Sequence, residues 1–115
     1  MMPLAPGRLF INPNFVDPER LPAALKTWEL LIPPRPKNKP IALHGFMSNG
    51  IAFNVLSLDE KRIPVEREET DFIAALKDWG FEPIPRRFKE HYPFIGGFHC
   101  TTLDIAREGP LEDYS

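Results

Sequence analysis

Shifted by 51 positions, the sequence overlies itself: "LPAALKTWELLIPPR" (21–35) falls on "FIAALKDWGFEPIPR" (72–86). Ala23, Ala24, Leu25, Lys26 and Trp28 match Ala74, Ala75, Leu76, Lys77 and Trp79, and Pro34 and Arg35 match Pro85 and Arg86. A repeat of this length predicts two copies of one supersecondary unit, stacked or set around an axis. Each copy carries apolar residues at the spacing of one helical face: Leu21, Ala24, Leu25 and Trp28, then Phe72, Ala75, Leu76 and Trp79. Asp17 and Pro18 form a cap and first-turn pair, while Pro22 confines the first helix to a start near Leu21. Gly80 stops the second helix.

Extended segments flank both helices. "GRLFIN" (7–12) and "AFNVLSLD" (52–59) precede them, the latter with Phe53 and Val55 on one face and Asn54, Leu56 and Leu58 on the other. Apolar residues on both faces predict a buried strand. "DEKR" makes a polar turn and "RIPVE" returns as a short strand; "ELLIPP" and "FEPIPR" follow the helices. Pro83 and Pro85 make the last of these an edge strand, since proline cannot donate to a ladder. "FHCTTLDIARE" (98–108) alternates as a final strand with Phe98, Cys100, Thr102 and Asp104 on one face. "PPRPKNKP" (33–40) reads as a linker or exposed loop. The acidic run Glu66–Glu69 reads as a solvated face and helix start.

A chain of 115 residues suits one domain or part of a larger one, and 43% hydrophobic with 26% charged residues marks it as globular. The net charge of −2 gives no reason to expect a nucleic-acid or membrane partner. No apolar run reaches the roughly 18 residues of a membrane span, and the N-terminus lacks a secretory signal. One cysteine makes no internal disulfide, so a cytoplasmic setting is the default, and three scattered histidines with it form no metal site.

That cysteine, Cys100, closes "PFIGGFHC" behind Gly96 and Gly97. It is either a small core residue or a nucleophile presented by a flexible backbone. His99 would turn to the opposite face of an extended strand and is read as structural. His44 and His91 fall in loop-like segments.

"NVLSLDEKR" and "GGFHC", in this order, with "PLAPGRLFINP" and "WELLIPPRP" before them, resemble the C-terminal part of the amidinotransferases that act on glycine and on inosamine phosphates. The resemblance covers nearly the whole chain. It implies an α+β fold of the α/β-propeller type: about two strand–helix–strand blades of a five-bladed pentein propeller, incomplete. Residues 1–115 would form a single partial domain, with units near 7–40 and 50–95 and a final catalytic strand at 96–109.

The resemblance further implies that Cys100 attacks the guanidinium carbon of arginine and passes the amidino group to an amine. Arginine and an amine acceptor would be the small-molecule partners, and no cofactor or metal is needed. Gly96 and Gly97 would let the backbone approach substrate, and Ser48 in "FMSNG" would contact it through its hydroxyl. Phe15 stands where the glycine-specific branch uses an arginine, which points to another acceptor. "DIAREG" replaces the family's "DVRRRG", placing Ala106 and Glu108 at arginine positions. The family's catalytic histidine and carboxylates lie upstream of "PLAPG" and have no counterpart here, so the chain alone is expected to be inactive. It would need the missing N-terminal blades, or would self-associate through open sheet edges. Two other readings are a guanidine-hydrolysing, deiminase-like pentein and a non-catalytic interaction fragment.

Overall fold

The two copies of the repeat fold differently: the second carries a nine-residue α-helix and the first only short 3-10 turns. The computed structural model describes residues 1–37 and 50–109. Strand β1 (Met2–Ala5) pairs antiparallel with β2 (Arg8–Phe10), and β2 pairs parallel with β3 (Glu29–Leu31), giving the order β1-β2-β3. Strand β4 (Arg62–Glu66) leads through helix α1 (Thr70–Asp78) to β5 (Glu82–Arg86), which lies parallel to β4. The result is a mixed α/β piece with two sheets and no closed barrel among the described residues. Both halves share one connection, strand to crossover to parallel strand.

The second copy folds as its sequence predicts. Phe72 and Leu76 of α1 are buried, with Ala75 and Trp79 partly so. At its end, the Phe81 N–H donates to the Leu76 carbonyl and the Gly80 N–H to that of Lys77, both at 2.9 Å. This double closure needs a left-handed residue, and Gly80 supplies it with φ +86°.

The first copy is no α-helix. It makes two single 3-10 turns, Pro18–Arg20 and Ala23–Leu25. Asp17 does cap the first, accepting from the Glu19 N–H at 3.0 Å. The helix fails because Pro22 forces Leu21 into an extended conformation (ψ 145°), breaking the run where the apolar face begins.

Two further expected strands do not form. Residues 52–59 form no strand: a 3-10 turn, Ile51–Phe53, gives way to irregular backbone. Val55 is buried but Leu58 is exposed, so the segment is not buried on both faces as expected, and no neighbouring strand is present among the described residues to pair with it. The final strand expected at 96–109 is a turn followed by exposed irregular chain, with Leu103 at 87% and Ile105 at 96% exposure.

β5 is an edge in this piece. The Glu82 N–H donates to the Lys61 carbonyl (2.8 Å) and the Arg67 N–H to that of Arg86 (2.9 Å). Alternate residues therefore face β4, and Pro83 and Pro85 turn outward, where they offer no donor.

One core joins the two sheets. Phe10 of β2, Phe53 and Phe72 of α1 pack at centroid separations of 5.0–5.7 Å, with Leu4, Leu31, Val55, Ile63, Val65, Leu76 and Phe81 around them. The other face of β2 is buried too: Leu9 packs with Ile11, Leu21 and Trp28. Arg8 ties the halves together at the surface. It pairs with Glu29 (2.9 Å), donates to the Trp79 carbonyl and lies 4.5 Å over the Phe81 ring. A cation at that carbonyl also suits the negative end of α1.

The proline-rich segment expected to be a linker is anchored where it is described. The Lys37 N–H donates to Glu69 at 2.7 Å, and its ammonium reaches Thr70 and Asp71. The Glu66–Glu69 run is not a wholly solvated face either: Glu66 and Glu69 are buried, because each carboxylate accepts backbone N–H groups.

Candidate functional site

The path to Cys100 begins at a buried carboxylate. Glu66, at the end of β4, accepts from the Phe88 and Lys89 N–H groups, each at 2.6 Å. These are the open donors at the start of a 3-10 helix, Lys89–Phe94, and an anion there satisfies both. Lys89 in turn pairs with Glu68 at 2.7 Å. Tyr92 of this helix is buried with Ile51 and Ala52. Its burial, then the carboxylates of Glu66, Glu69 and Glu68, push its phenol above the ordinary range.

The helix ends at Ile95, whose φ is +62°. A β-branched residue in the left-handed region is strained. The chain then enters the buried pair Gly96–Gly97 and turns through Phe98, whose ring stacks on Phe88 at 4.2 Å. His91, exposed, lies against the same Phe88 ring at 4.6 Å.

Asn54 holds the turn that follows. Its side-chain oxygen accepts from the Gly97 N–H (3.1 Å) and the Cys100 N–H (3.0 Å). Its carbonyl accepts from the His99 N–H at 3.1 Å. The Thr101 and Thr102 hydroxyls bond back to carbonyls of residues 97–99, so the turn closes on itself. Cys100 rides on this turn as an exposed free thiol.

The two glycines are needed for packing within the chain. A Cβ on Gly97 would sit 2.6 Å from the Asn54 carbonyl oxygen and 2.9 Å from that of Ile51. One on Gly96 would sit 2.9 Å from the Cys100 Cβ. Because 96–109 is not a strand, the expected opposition of His99 and Cys100 across a sheet does not arise; they are neighbours in a turn. His99 lines a cleft of about 450 Å³ with Asn12, Phe15, Phe53 and Asn54, and Phe15 is 72% exposed. Ser48 and His44 lie outside the described residues. Among the described residues, no three His, Cys, Asp or Glu side chains converge as metal ligands, and no helix is long and apolar enough to cross a membrane.

Sequence reasoning missed Asn54 and Glu66. The signal for Asn54 was a lone amide inside the apolar run "IAFNVL"; for Glu66 it was a carboxylate directly ending a strand.

No protein-family model matches the chain. Individual relatives do. An L-arginine:L-lysine amidinotransferase of Pseudomonas savastanoi pv. phaseolicola is 41% identical over 114 residues, covering 99% of this chain and 31% of the relative. The solved structure of SxtG, an amidinotransferase of the saxitoxin biosynthetic pathway from Microseira wollei, superposes with a TM-score of 0.89 at 48% identity, over 99% of this chain and 32% of that one. Inosamine-phosphate amidinotransferase StrB1 from Streptomyces griseus gives 0.85 at 34% identity, over 97% and 32%. The chain spans about a third of the length of each of these relatives. Along nearly all of its residues, the chain is homologous to about a third of an amidinotransferase.

Proposed function

We propose that this chain is the portion of an amidinotransferase that carries the thiol nucleophile, Cys100. The observation that supports this is an exposed cysteine on a turn fixed by three backbone hydrogen bonds to Asn54, within a chain 48% identical to a structurally characterised amidinotransferase. The Cys100 thiolate attacks the guanidinium carbon of arginine; a C–S bond forms, the C–N bond to ornithine breaks, and the leaving amine takes a proton. The acceptor amine then attacks the amidino-cysteine, gives up its proton and releases the thiolate. Residues outside these 115 supply the proton shuttle and the carboxylates that hold the guanidinium.

In this reading Gly96 and Gly97 shape the substrate-facing turn, and Ser48 offers a hydroxyl to substrate. The fold of the whole protein is the pentein propeller, of which this piece supplies two blades. Phe15, projecting at the cleft, favours an acceptor with an apolar body, such as the lysine side chain, over glycine. A reducing, cytoplasmic compartment suits an unpaired thiol.

The test is transfer from guanidino-labelled L-arginine in the full-length polypeptide containing this sequence, with L-lysine, glycine or an amino-inositol phosphate as acceptor. Amine-dependent ornithine release that disappears in Cys100→Ala supports the reading. Citrulline formed without an amine would assign the chain to the guanidine-hydrolysing enzymes instead. Neither product, with Cys100 unlabelled by arginine, overturns a catalytic role.

A further inference from the structure

We infer that Asn54 is a positioning residue for Cys100, fixing the thiol's place through the backbone of the turn and doing so with an uncharged acceptor. The inference rests on the proposed role of Cys100 as nucleophile. Three N–H groups of one short turn, those of Gly97, His99 and Cys100, end on this single residue. It stands 43 and 46 residues away in sequence from the two that meet its side chain, so these bonds are tertiary clamps. The hold is reinforced sterically. The bare Cα of Gly97 lies against the Asn54 carbonyl and Cβ, so the turn cannot slide along this contact without collision. The clamped N–H of Cys100 belongs to the residue that bears the thiol, one Cα away from its Cβ. Asn54 and Phe53 also line the cleft with His99, which places the clamp at the edge of the cavity beside the turn.

The chemistry of the acceptor matters as much as its place. An aspartate at 54 could accept both side-chain bonds equally well. It would also put a negative charge beside a thiol that must ionise to react, and like charge disfavours ionisation. An amide supplies the geometry without that charge. Two substitutions therefore separate the two contributions. Asn54→Asp keeps the acceptors and adds charge. Asn54→Leu removes the acceptors and adds none. His99, adjacent in the turn, is unchanged in both, so differences between them report position 54.

The experiment uses the full-length polypeptide, following alkylation of the Cys100 peptide by iodoacetamide against pH, amide exchange at Gly97 and Cys100, and steady-state transfer. In Asn54→Asp the amides stay protected while the alkylation profile moves to higher pH by roughly one pH unit. In Asn54→Leu, protection at both amides is lost, and kcat falls on the order of a hundredfold with the KM for arginine little changed, as for a misplaced nucleophile. Parental exchange in Asn54→Leu, or a parental alkylation profile in Asn54→Asp, overturns the inference. Both readouts are independent of turnover. Failure of the nucleophile assignment would show separately, as transfer persisting in Cys100→Ala.

Discussion

Gly97 packs directly against Asn54: a methyl group on Gly97 would meet the Asn54 carbonyl oxygen at 2.6 Å and the Asn54 Cβ at 2.9 Å. The neighbours are backbone and a clamped side chain, so they cannot yield cheaply. Gly97→Ala is expected to cost about 1–3 kcal/mol, as overpacking does. It should also loosen the turn, raising exchange at the Cys100 amide. Gly109→Ala, with nothing within 4 Å, is the control and should be neutral. Equal denaturation midpoints for the two variants would contradict the contact.

Glu66 is wholly buried; one carboxylate oxygen serves the Phe88 and Lys89 N–H groups at 2.6 Å and the other accepts the Glu68 N–H at 3.3 Å. Removing the carboxylate strands these donors. Glu66→Ala is expected to destabilise by about 3 kcal/mol, given about 1–3 kcal/mol for each buried donor left unpaired. Glu66→Gln keeps an oxygen in place and should lose about half as much or less. Urea denaturation of the two variants checks the order, and a Gln variant as damaged as the Ala variant would argue against the hydrogen-bond account.

Ile95 holds a positive φ of 62° while its side chain is exposed. Its strain is therefore not offset by burial. Ile95→Asn, a residue that tolerates the left-handed region, should raise stability by about 1 kcal/mol. Thermal denaturation reads this directly. A lower midpoint would show that Ile95 makes contacts that outweigh its backbone cost.

Asp59 organises the turn before β4. It accepts from the Arg62 N–H at 2.7 Å, the Lys61 N–H at 2.9 Å and the Arg62 guanidinium at 2.5 Å. The Arg62 N–H leads these in holding its carboxyl down to about 2 from an ordinary 3.8. A carboxylate depressed on folding stabilises above its unfolded value and loses that contribution as pH falls through its folded value. The window is therefore from 3.8 down to about 2. Stability measured against pH should fall less steeply across that window in Asp59→Asn than in the parent. Parallel curves would mean that the charge contributes nothing, as exposed pairs often do.

Local patterns were legible in the sequence where local forces decide the structure. The spacing of Phe72, Leu76 and Trp79, with Gly80 behind them, specifies α1 and its end without reference to any other segment. The matching pattern from Leu21 to Trp28 misled, because one residue, Pro22, outweighs four well-placed apolar ones. Alternation along 52–59 and 98–108 misled, because a strand exists only with its partner and neither segment has one among the described residues. Cys100 stood out by its chemistry. What holds it did not, because the partners of Asn54 lie more than forty residues along the chain and an isolated amide gives no sign of them.

The aromatic cluster has a consequence for how such a chain can be divided. Phe10 comes from the half of the chain before residue 37, and Phe53 and Phe72 from the half after residue 50. The first half has a small cluster of its own around Leu9 and Trp28, but the aromatic core is shared between the halves. Severed between residues 37 and 50, the two halves would each expose the rings that the other now covers, and would recover their shape only by finding one another again. Though written twice in the sequence, the motif keeps its aromatic rings in common, so a cut between the copies divides one core and leaves two incomplete ones.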